Sequence, residues 1–209
     1  MKKKLSPLEY TYEREAMGLG FSRICGIDEA GRGPLCGPVV AAACILPDGL
    51  EISGLNDSKK LTPAARDRLY DEIVTSAVAY SIAEASVDEI NELNILEATL
   101  LAMRRACTGL EPKADYLLVD GNVFRGFDIP GRCVIGGDAA SPSIAAASIL
   151  AKVTRDRMCG ELDRQYPMYK IAKNKGYGTA EHIAALKEFG PSPIHRKQFI
   201  RFLNKDSGK

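Results

Sequence analysis

Several acidic residues of the 209-residue chain lie where an apolar run gives way to glycine. Asp28 and Glu29 follow Arg23-Ile-Cys-Gly-Ile and precede Ala-Gly-Arg-Gly-Pro; Asp120 follows Leu117-Leu-Val and precedes Gly121; Asp138 follows Cys133-Val-Ile and two glycines. Short apolar runs bounded by glycine read as buried strands. Ligand sites on open α/β sheets collect at strand ends, so acids from distant parts of the chain can converge there. Crowded carboxylates repel and raise one another's pKa unless a cation intervenes. Hard oxygen donors without His or Cys suit Mg²⁺ or Mn²⁺ rather than zinc. Two such ions roughly 3.5–4 Å apart can clamp the attacking and leaving oxygens of a phosphodiester. Taken singly, each acid is as well explained as a turn residue, a cap or a surface charge; the repetition of one placement favours a shared site. Neighbours on a regular strand point to opposite faces, so Asp28 and Glu29 are expected to meet only where the strand loses regularity. Asp57, Asp115 and Asp128 end no apolar run and read as turn or surface residues.

The remaining polar features are less specific. Gly31-Arg32-Gly33 exposes backbone that a ligand can approach closely. It is no dinucleotide loop, because Cys36 stands where the last glycine should fall and Pro34 interrupts the helix start. Lys59 and Lys60, in a polar loop, suit phosphate contacts. Tyr177, between two glycines and beside lysines, can stack on a sugar or base, or else belongs to the core. His182 on an amphipathic segment reads as structural and Ser148 among alanines as helix packing, so a triad hydrolase is disfavoured.

The elements that must position these groups can be read in outline. Residues 7–20 read as an opening helix, and residues 23–28 and 39–46 as strands joined too closely for a parallel crossover. Thr62-Pro63 starts a helix; 78–86 reads as a strand, 94–108 as a helix, and 116–119 and 133–135 as buried strands. A long helix over 141–165, Ala-rich in its first half, and another from Thr179 complete the pattern. This predicts an α/β fold with a mixed sheet flanked by helices. The expected division is a domain over 1–190 and a basic tail over 191–209 packed on or extending it.

Net charge is +1, but residues 170–209 carry nine Lys/Arg against three Asp/Glu, on an otherwise acidic chain. That asymmetry points to a polyanion partner. Six cysteines, with no CxxC, read as small buried hydrophobes in a reducing compartment rather than zinc ligands or disulfides. No apolar run suffices to span a bilayer, and the basic start lacks the apolar stretch of a secretory signal. A cytoplasmic location is expected.

The blocks that carry these features resemble a known family. Gly26-Ile-Asp-Glu-Ala-Gly-Arg-Gly-Pro-Leu-Cys-Gly-Pro-Val-Val-Ala-Ala-Ala43 resembles the opening signature of bacterial ribonuclease HII, of the type 2 ribonuclease H family. The resemblance continues through Asn56-Asp-Ser-Lys-Lys-Leu61, Val119-Asp-Gly121, Ser143-Ile-Ala-Ala-Ala-Ser-Ile149, Ala151-Lys-Val-Thr-Arg-Asp156, Lys175-Gly-Tyr-Gly-Thr179 and Gly190-Pro-Ser-Pro-Ile-His-Arg196. It implies a ribonuclease H-like fold with a helical C-terminal extension and metal-dependent cleavage of RNA paired to DNA. Asp28, Glu29, Asp120 and Asp138 would hold Mn²⁺ or Mg²⁺, with two ions in the active complex. Gly31, Arg32 and Gly33 would read the 2′-hydroxyl, helped by Tyr177, with Lys59 and Lys60 on the substrate. Cleavage would fall 5′ of a ribonucleotide, even a single one embedded in DNA, leaving a 3′-hydroxyl and a 5′-phosphate. Roles in primer removal and ribonucleotide excision would follow, for an enzyme expected to be a monomer. Gly136 and Ala140 depart from the family's common lysines, removing positive charge beside Asp138. The competing readings are a same-fold DNA nuclease and a non-catalytic hybrid-binding module.

Overall fold

The computed structural model describes residues 8–204. A first helix, α1 (Thr11–Gly18), leads into strands β1 (Ile24–Ala30) and β2 (Val39–Ile45). Helix α2 (Pro63–Ser76), strand β3 (Ala79–Ala85) and helices α3 (Val87–Leu93) and α4 (Ile95–Thr108) follow. Strands β4 (Tyr116–Asp120) and β5 (Gly131–Val134) come next, and then helices α5 (Pro142–Gln165), α6 (Ile171–Asn174) and α7 (Ala180–Phe189). The sheet order is β3-β2-β1-β4-β5. β1 pairs antiparallel with β2 and β2 with β3, while β4 runs parallel to both β1 and β5. The expected mixed sheet flanked by helices is thus present.

The two faces of the sheet follow from strand alternation. On β2, Val39, Ala41, Ala43 and Ile45 pack in the cluster that includes Met103 and Ala106 of α4. Ala42 and Cys44 belong instead to the cluster with Ala145, Ala146, Ile149 and Leu150 of α5 and Leu69 and Ile73 of α2. Every residue of β2 is buried, as expected of a strand covered on both faces. Glycine is required where α5 meets β1: a Cβ at Gly26 would lie 2.1 Å from the Ser143 carbonyl carbon and 2.3 Å from the Ile144 nitrogen.

Local sequence accounts for the element ends. Thr62 caps α2 by accepting the Ala65 N–H, with Pro63 in the first turn. Ser141 caps α5 in the same way, again ahead of a proline. Helix α3 escapes the periodicity reading because its seven residues are too few to show a face. Its Ser86/Glu89 capping box was nevertheless visible in the sequence. The last strand runs over Gly131–Val134 rather than 133–135; Ile135 is 83% exposed. The opening helix begins at Thr11, later than expected, and position 7 of that reading lies outside the described residues.

The chain after α7 turns back onto the domain. Cys36 and His195 form an isolated antiparallel bridge, and a short 3₁₀ turn over Arg201–Asn204 ends the described residues. The six cysteines are unpaired and all but Cys133 are buried. Among the described residues no helix is long and apolar enough to cross a membrane.

The close approach at Gly26 has a direct test. Gly26→Ala forces the start of α5 away from β1, and overpacking of this kind costs about 3 kcal/mol. A urea titration of the purified variant should show the midpoint lowered accordingly; an unchanged midpoint would show that the helix yields without cost.

Candidate active site

The site is built at the end of the sheet where β1 outruns β4. The β1–β4 ladder stops at Ile27↔Val119, and Asp28 and Asp120 are the next residues on each strand. By alternation both fall on the α5 side. The β1–β2 ladder, by contrast, continues through Ala30↔Val40, so β1 does not lose regularity at its acids as the sequence suggested. What changes is the other edge. Past Ile27 that edge has no β4 partner, and the Glu29 N–H donates to Asp28 Oδ1 at 2.7 Å.

Asp120 Oδ1 accepts the Gly137 N–H at 2.7 Å, which fastens the end of β4 to the 3₁₀ turn Gly137–Ala139 carrying Asp138. Asp138 is buried and pairs with Lys59 Nζ at 3.2 Å. Lys59 stands on a second 3₁₀ turn, Ser58–Lys60, whose N-cap is Asp57. Arg66 on α2 holds that turn by donating to the carbonyls of Ser58 and Leu61.

These parts enclose a cleft of about 330 Å³ whose walls include Asp28, Glu29, Asp120, Gly31–Gly33, Lys59 and Tyr177. Of the remaining sequence candidates, Asp138 reaches this group through Lys59. Lys60 does not: its ammonium pairs with Asp57 at 3.5 Å and does not line the cleft. Arg32 turns its guanidinium to Glu29 Oε1 at 3.2 Å. Tyr177 is half-exposed, and its ring lies 3.1 Å from where a Cβ on Gly33 would sit.

The electrostatics are those of carboxylates covered by burial and set close to one another. Asp28 is pushed well above the carboxylate range, first by burial and then by the charges of Glu29 and Asp120. Burial also raises Glu29; Arg32 opposes this and Asp120 adds to it. Asp120 is raised by burial and by Asp138, against the Gly137 N–H. Partial desolvation alone would lower Lys59, yet Asp138, Asp57 and Asp28 raise it overall. A divalent cation among such oxygens would offset their repulsion and compete with protons for them.

The loop after β1 is fixed from inside. All five N–H groups of the buried Arg196 guanidinium are used on it. Nε donates to Gly37 O, Nη1 to the carbonyls of Arg32 and Pro34, and Nη2 to those of Gly31 and Pro38, at 2.6–3.2 Å. Arg155 lies beneath the same loop, donating from Nη2 to Cys36 O at 2.8 Å. A Cβ at Gly31, where φ is +97°, would come 2.7 Å from Arg155 Nε. Only glycine satisfies both the backbone conformation and that contact.

Sequence reading missed the contribution of α5. Ser148, Lys152, Arg155 and Asp156 all line the cleft. Ser148 Oγ lies 3.0 Å from Ser58 Oγ and hydrogen-bonds Asp28, so it does more than pack a helix. The signal was their spacing, which places them on one helical face interrupting an alanine-rich stretch. Apart from closing a block that resembles the family, Arg196 gave no local signal of its role, since its partners are far away in sequence.

Against known proteins, the architecture matches the ribonuclease H2 of Pyrococcus horikoshii OT3 with a TM-score of 0.72. The match has 25% identity and covers 90% of this chain and 100% of that one. It defines a ribonuclease H-like fold with the acid-lined cleft at one end of its sheet. The profile of the Ribonuclease HII family matches residues 25–202. A Ribonuclease HII from Acidovorax sp. (strain JS42) is 60% identical over 176 residues, 84% of each chain. One from Desulfitobacterium hafniense (strain DSM 10664 / DCB-2) is 56% identical over 180 residues, 86% of this chain and 69% of that one. The chain therefore belongs to the ribonuclease HII family and is a ribonuclease H hydrolase.

Arg196→Lys keeps the charge but has three N–H donors for five carbonyls. Buried carbonyls left unpaired cost about 1–3 kcal/mol each, so a urea titration should show at least about 2 kcal/mol lost. Stability equal to the parent would mean that the loop does not depend on the fork.

Proposed function

We propose that the cleft hydrolyses the RNA strand of RNA–DNA hybrids and cuts on the 5′ side of single ribonucleotides embedded in duplex DNA. The products would be a 3′-hydroxyl and a 5′-phosphate, which suits removal of RNA primers and of misincorporated ribonucleotides. The observation that carries this reading is the meeting, in one cleft, of Asp28, Glu29 and Asp120 with the Gly31–Gly33 backbone and Tyr177. The first group suits phosphodiester chemistry and the second suits recognition of a sugar.

Asp28, Glu29 and Asp120, with Asp138 once it leaves Lys59, would supply an all-oxygen donor set, without His or Cys, of the kind that suits Mg²⁺ or Mn²⁺. Burial and mutual repulsion raise the first three, as expected of carboxylates arranged to receive a cation. When bound, two such ions supply charge stabilisation to the attacking and leaving oxygens of the phosphodiester. Around them the chain's own groups do the positioning. Lys59, Lys152 and Lys175 line the cleft as cations for the phosphate backbone. Lys60, paired to Asp57 outside the cleft, would at most touch phosphate farther along the duplex.

Ribose selection falls to the loop. A 2′-hydroxyl both donates and accepts. The Gly31 and Arg32 carbonyls each accept a bond from Arg196 already, which leaves their second lone pairs and the loop N–H groups as its partners. A site built to bond a hydroxyl rejects the analogue lacking it, because its own polar groups are otherwise left unpaired. Tyr177, against Gly33, adds a hydroxyl and a ring for the adjacent sugar.

Asp120→Asn separates chemistry from stability. Turnover at saturating Mn²⁺ should collapse, and near-normal cleavage would remove Asp120 from the site. The metal-free variant should melt higher than the parent at neutral pH. The sign follows from linkage: the raised native pKa means that the unfolded chain releases this proton first, so the carboxylate erodes stability as pH rises through the raised value. Relieving it should therefore show most at neutral pH and vanish below about pH 4.

Ribose reading is tested with matched duplexes carrying one ribonucleotide, its 2′-deoxy analogue or its 2′-O-methyl analogue. Only the first should be cut, and Tyr177→Ala should lose more of that activity than Tyr177→Phe. Similar rates on all three would make a same-fold DNA nuclease the better description.

A further inference from the structure

On the far side of the Gly31–Pro38 loop from the carboxylates, three side chains from separate segments meet in the interior. Cys36 closes the loop, His182 lies in α7, and His195 comes from the segment after it. Their Sγ and ring-nitrogen atoms lie within 4.8 Å of one another, and all three residues are buried. Sequence order hides this grouping, and the cysteines on their own read as apolar filler. We propose that Cys36, His182 and His195 form a second metal site, chemically distinct from the carboxylate cluster, that takes a soft d¹⁰ cation, Zn²⁺ or Cu⁺.

Both imidazoles present Nε2 to the shared space, 3.1 Å apart. That separation is slightly under the ~3.3 Å spanned by two nitrogens each about 2.05 Å from one tetrahedral ion. Each ring is also oriented from behind through Nδ1, as metal-ligating imidazoles are. His182 Nδ1 is 3.0 Å from the Tyr177 carbonyl; His195 Nδ1 accepts the Ser192 N–H at 3.1 Å and lies 3.0 Å from Ser192 Oγ and 3.3 Å from Ser192 O. Burial keeps both rings neutral, so that lone pairs are available.

A thiolate with two imidazoles selects soft or borderline ions over Mg²⁺ and Mn²⁺. The surrounding charge discriminates further. Burial raises the Cys36 thiol to about 11, with Arg155 and Arg196 pulling the other way, so a bound ion must displace its proton. With thiolate and neutral rings, a monovalent ion leaves the centre neutral, whereas a divalent ion adds a positive charge beside two guanidiniums. Charge balance thus ranks Cu⁺ above Zn²⁺.

The protons balance without a redox step. In the metal-free chain His182 Nδ1–H donates to Tyr177 O, so its Nε2 accepts from His195 Nε2–H. Binding releases the Cys36 thiol proton and moves the His195 proton to Nδ1, where the bond from the Ser192 N–H is given up and Ser192 Oγ or O accepts instead. The ion would replace one hydrogen bond by three bonds. It would tie together the loop that reads ribose, the helix whose His182 holds the Tyr177 carbonyl, and the segment that delivers Arg196.

The test uses the reduced full-length protein under anaerobic conditions, with Co²⁺ as a spectroscopic stand-in for Zn²⁺ and with Cu⁺ supplied against a chromophoric Cu⁺ chelator. One equivalent of Co²⁺ or Cu⁺ should bind with thiolate-to-metal charge-transfer absorption, which an all-carboxylate site cannot produce. The melting temperature should rise with the ion that binds. Cys36→Ala, or Cys36→Ser if the alanine variant folds poorly, should lose the absorption and the equivalent. Cys159→Ala removes a neighbouring thiol outside the trio and should retain both. Tighter retention of Cu⁺ than of Zn²⁺ would confirm the charge ranking, and the reverse would overturn it. Absence of thiolate absorption with both ions overturns the site itself. So does absorption that survives Cys36→Ala or Cys36→Ser, or that disappears only with Cys159→Ala.

Discussion

The arrangement of the molecule rests on one short contact: the start of α5 lies against β1 at Gly26, with no room for a side chain between them. Everything near the carboxylates takes its position from that contact. Because the helix lies so close, its buried face must be small, and Ala145, Ala146, Ala147 and Ala151 supply it. The same proximity puts Ser148, the next polar group along that helix, within reach of Asp28 two residues beyond Gly26. A larger residue at position 26 would lift the helix and withdraw Ser148, Lys152 and Arg155 together.

A second interaction holds what the first leaves loose. The Gly31–Pro38 loop presents its backbone to a cleft, and in such a loop the carbonyls are not consumed by a sheet. Five of them would lose water without replacement were Arg196 not placed among them, with each N–H donating to one. Burial pulls the Arg196 guanidinium down to about 10, still far above neutrality, so the charge persists at a residue that is fully buried. Removing one partner of a buried, fully satisfied charged group costs far more than an exposed pair contributes. Loop and terminal segment are in this sense one unit.

Legibility from sequence followed the range of the interactions. The antiparallel β1–β2 pair, the capped starts of α2 and α5 and the strand-end position of Asp28 and Asp120 are set by neighbours in sequence, and they were readable. Register was not: that Asp28 and Asp120 are the residues just past a shared parallel ladder depends on pairing between strands far apart in the chain. Arg196 and the His182–His195 contact are of the same kind, since nothing near either position specifies the partner. Lys60 shows the opposite case. Two adjacent lysines look alike in sequence, but the 3₁₀ turn sends Lys59 to Asp138 and Lys60 to Asp57. Within the basic C-terminal segment charge alone did not separate the internal Arg196 from the exposed Lys170, Lys173, Lys197 and Arg201.

The cleft combines groups of two mobilities, and that difference bears on how a charged strand can enter it. Asp28 is buried on a strand paired to β2 and Asp120 is bonded to Gly137 N–H, so these acids cannot turn away. Lys59 and Arg32 are long side chains with exposed ends, although the carboxylates they meet are largely covered. Their exposed ends let Lys59 and Arg32 turn from a carboxylate to an incoming phosphate once a cation takes their place beside the covered acids, while the acids keep the geometry fixed. Rigidity is concentrated in the groups that must define a position, and the adaptable charge sits at the rim, where a duplex of varying sequence has to be received.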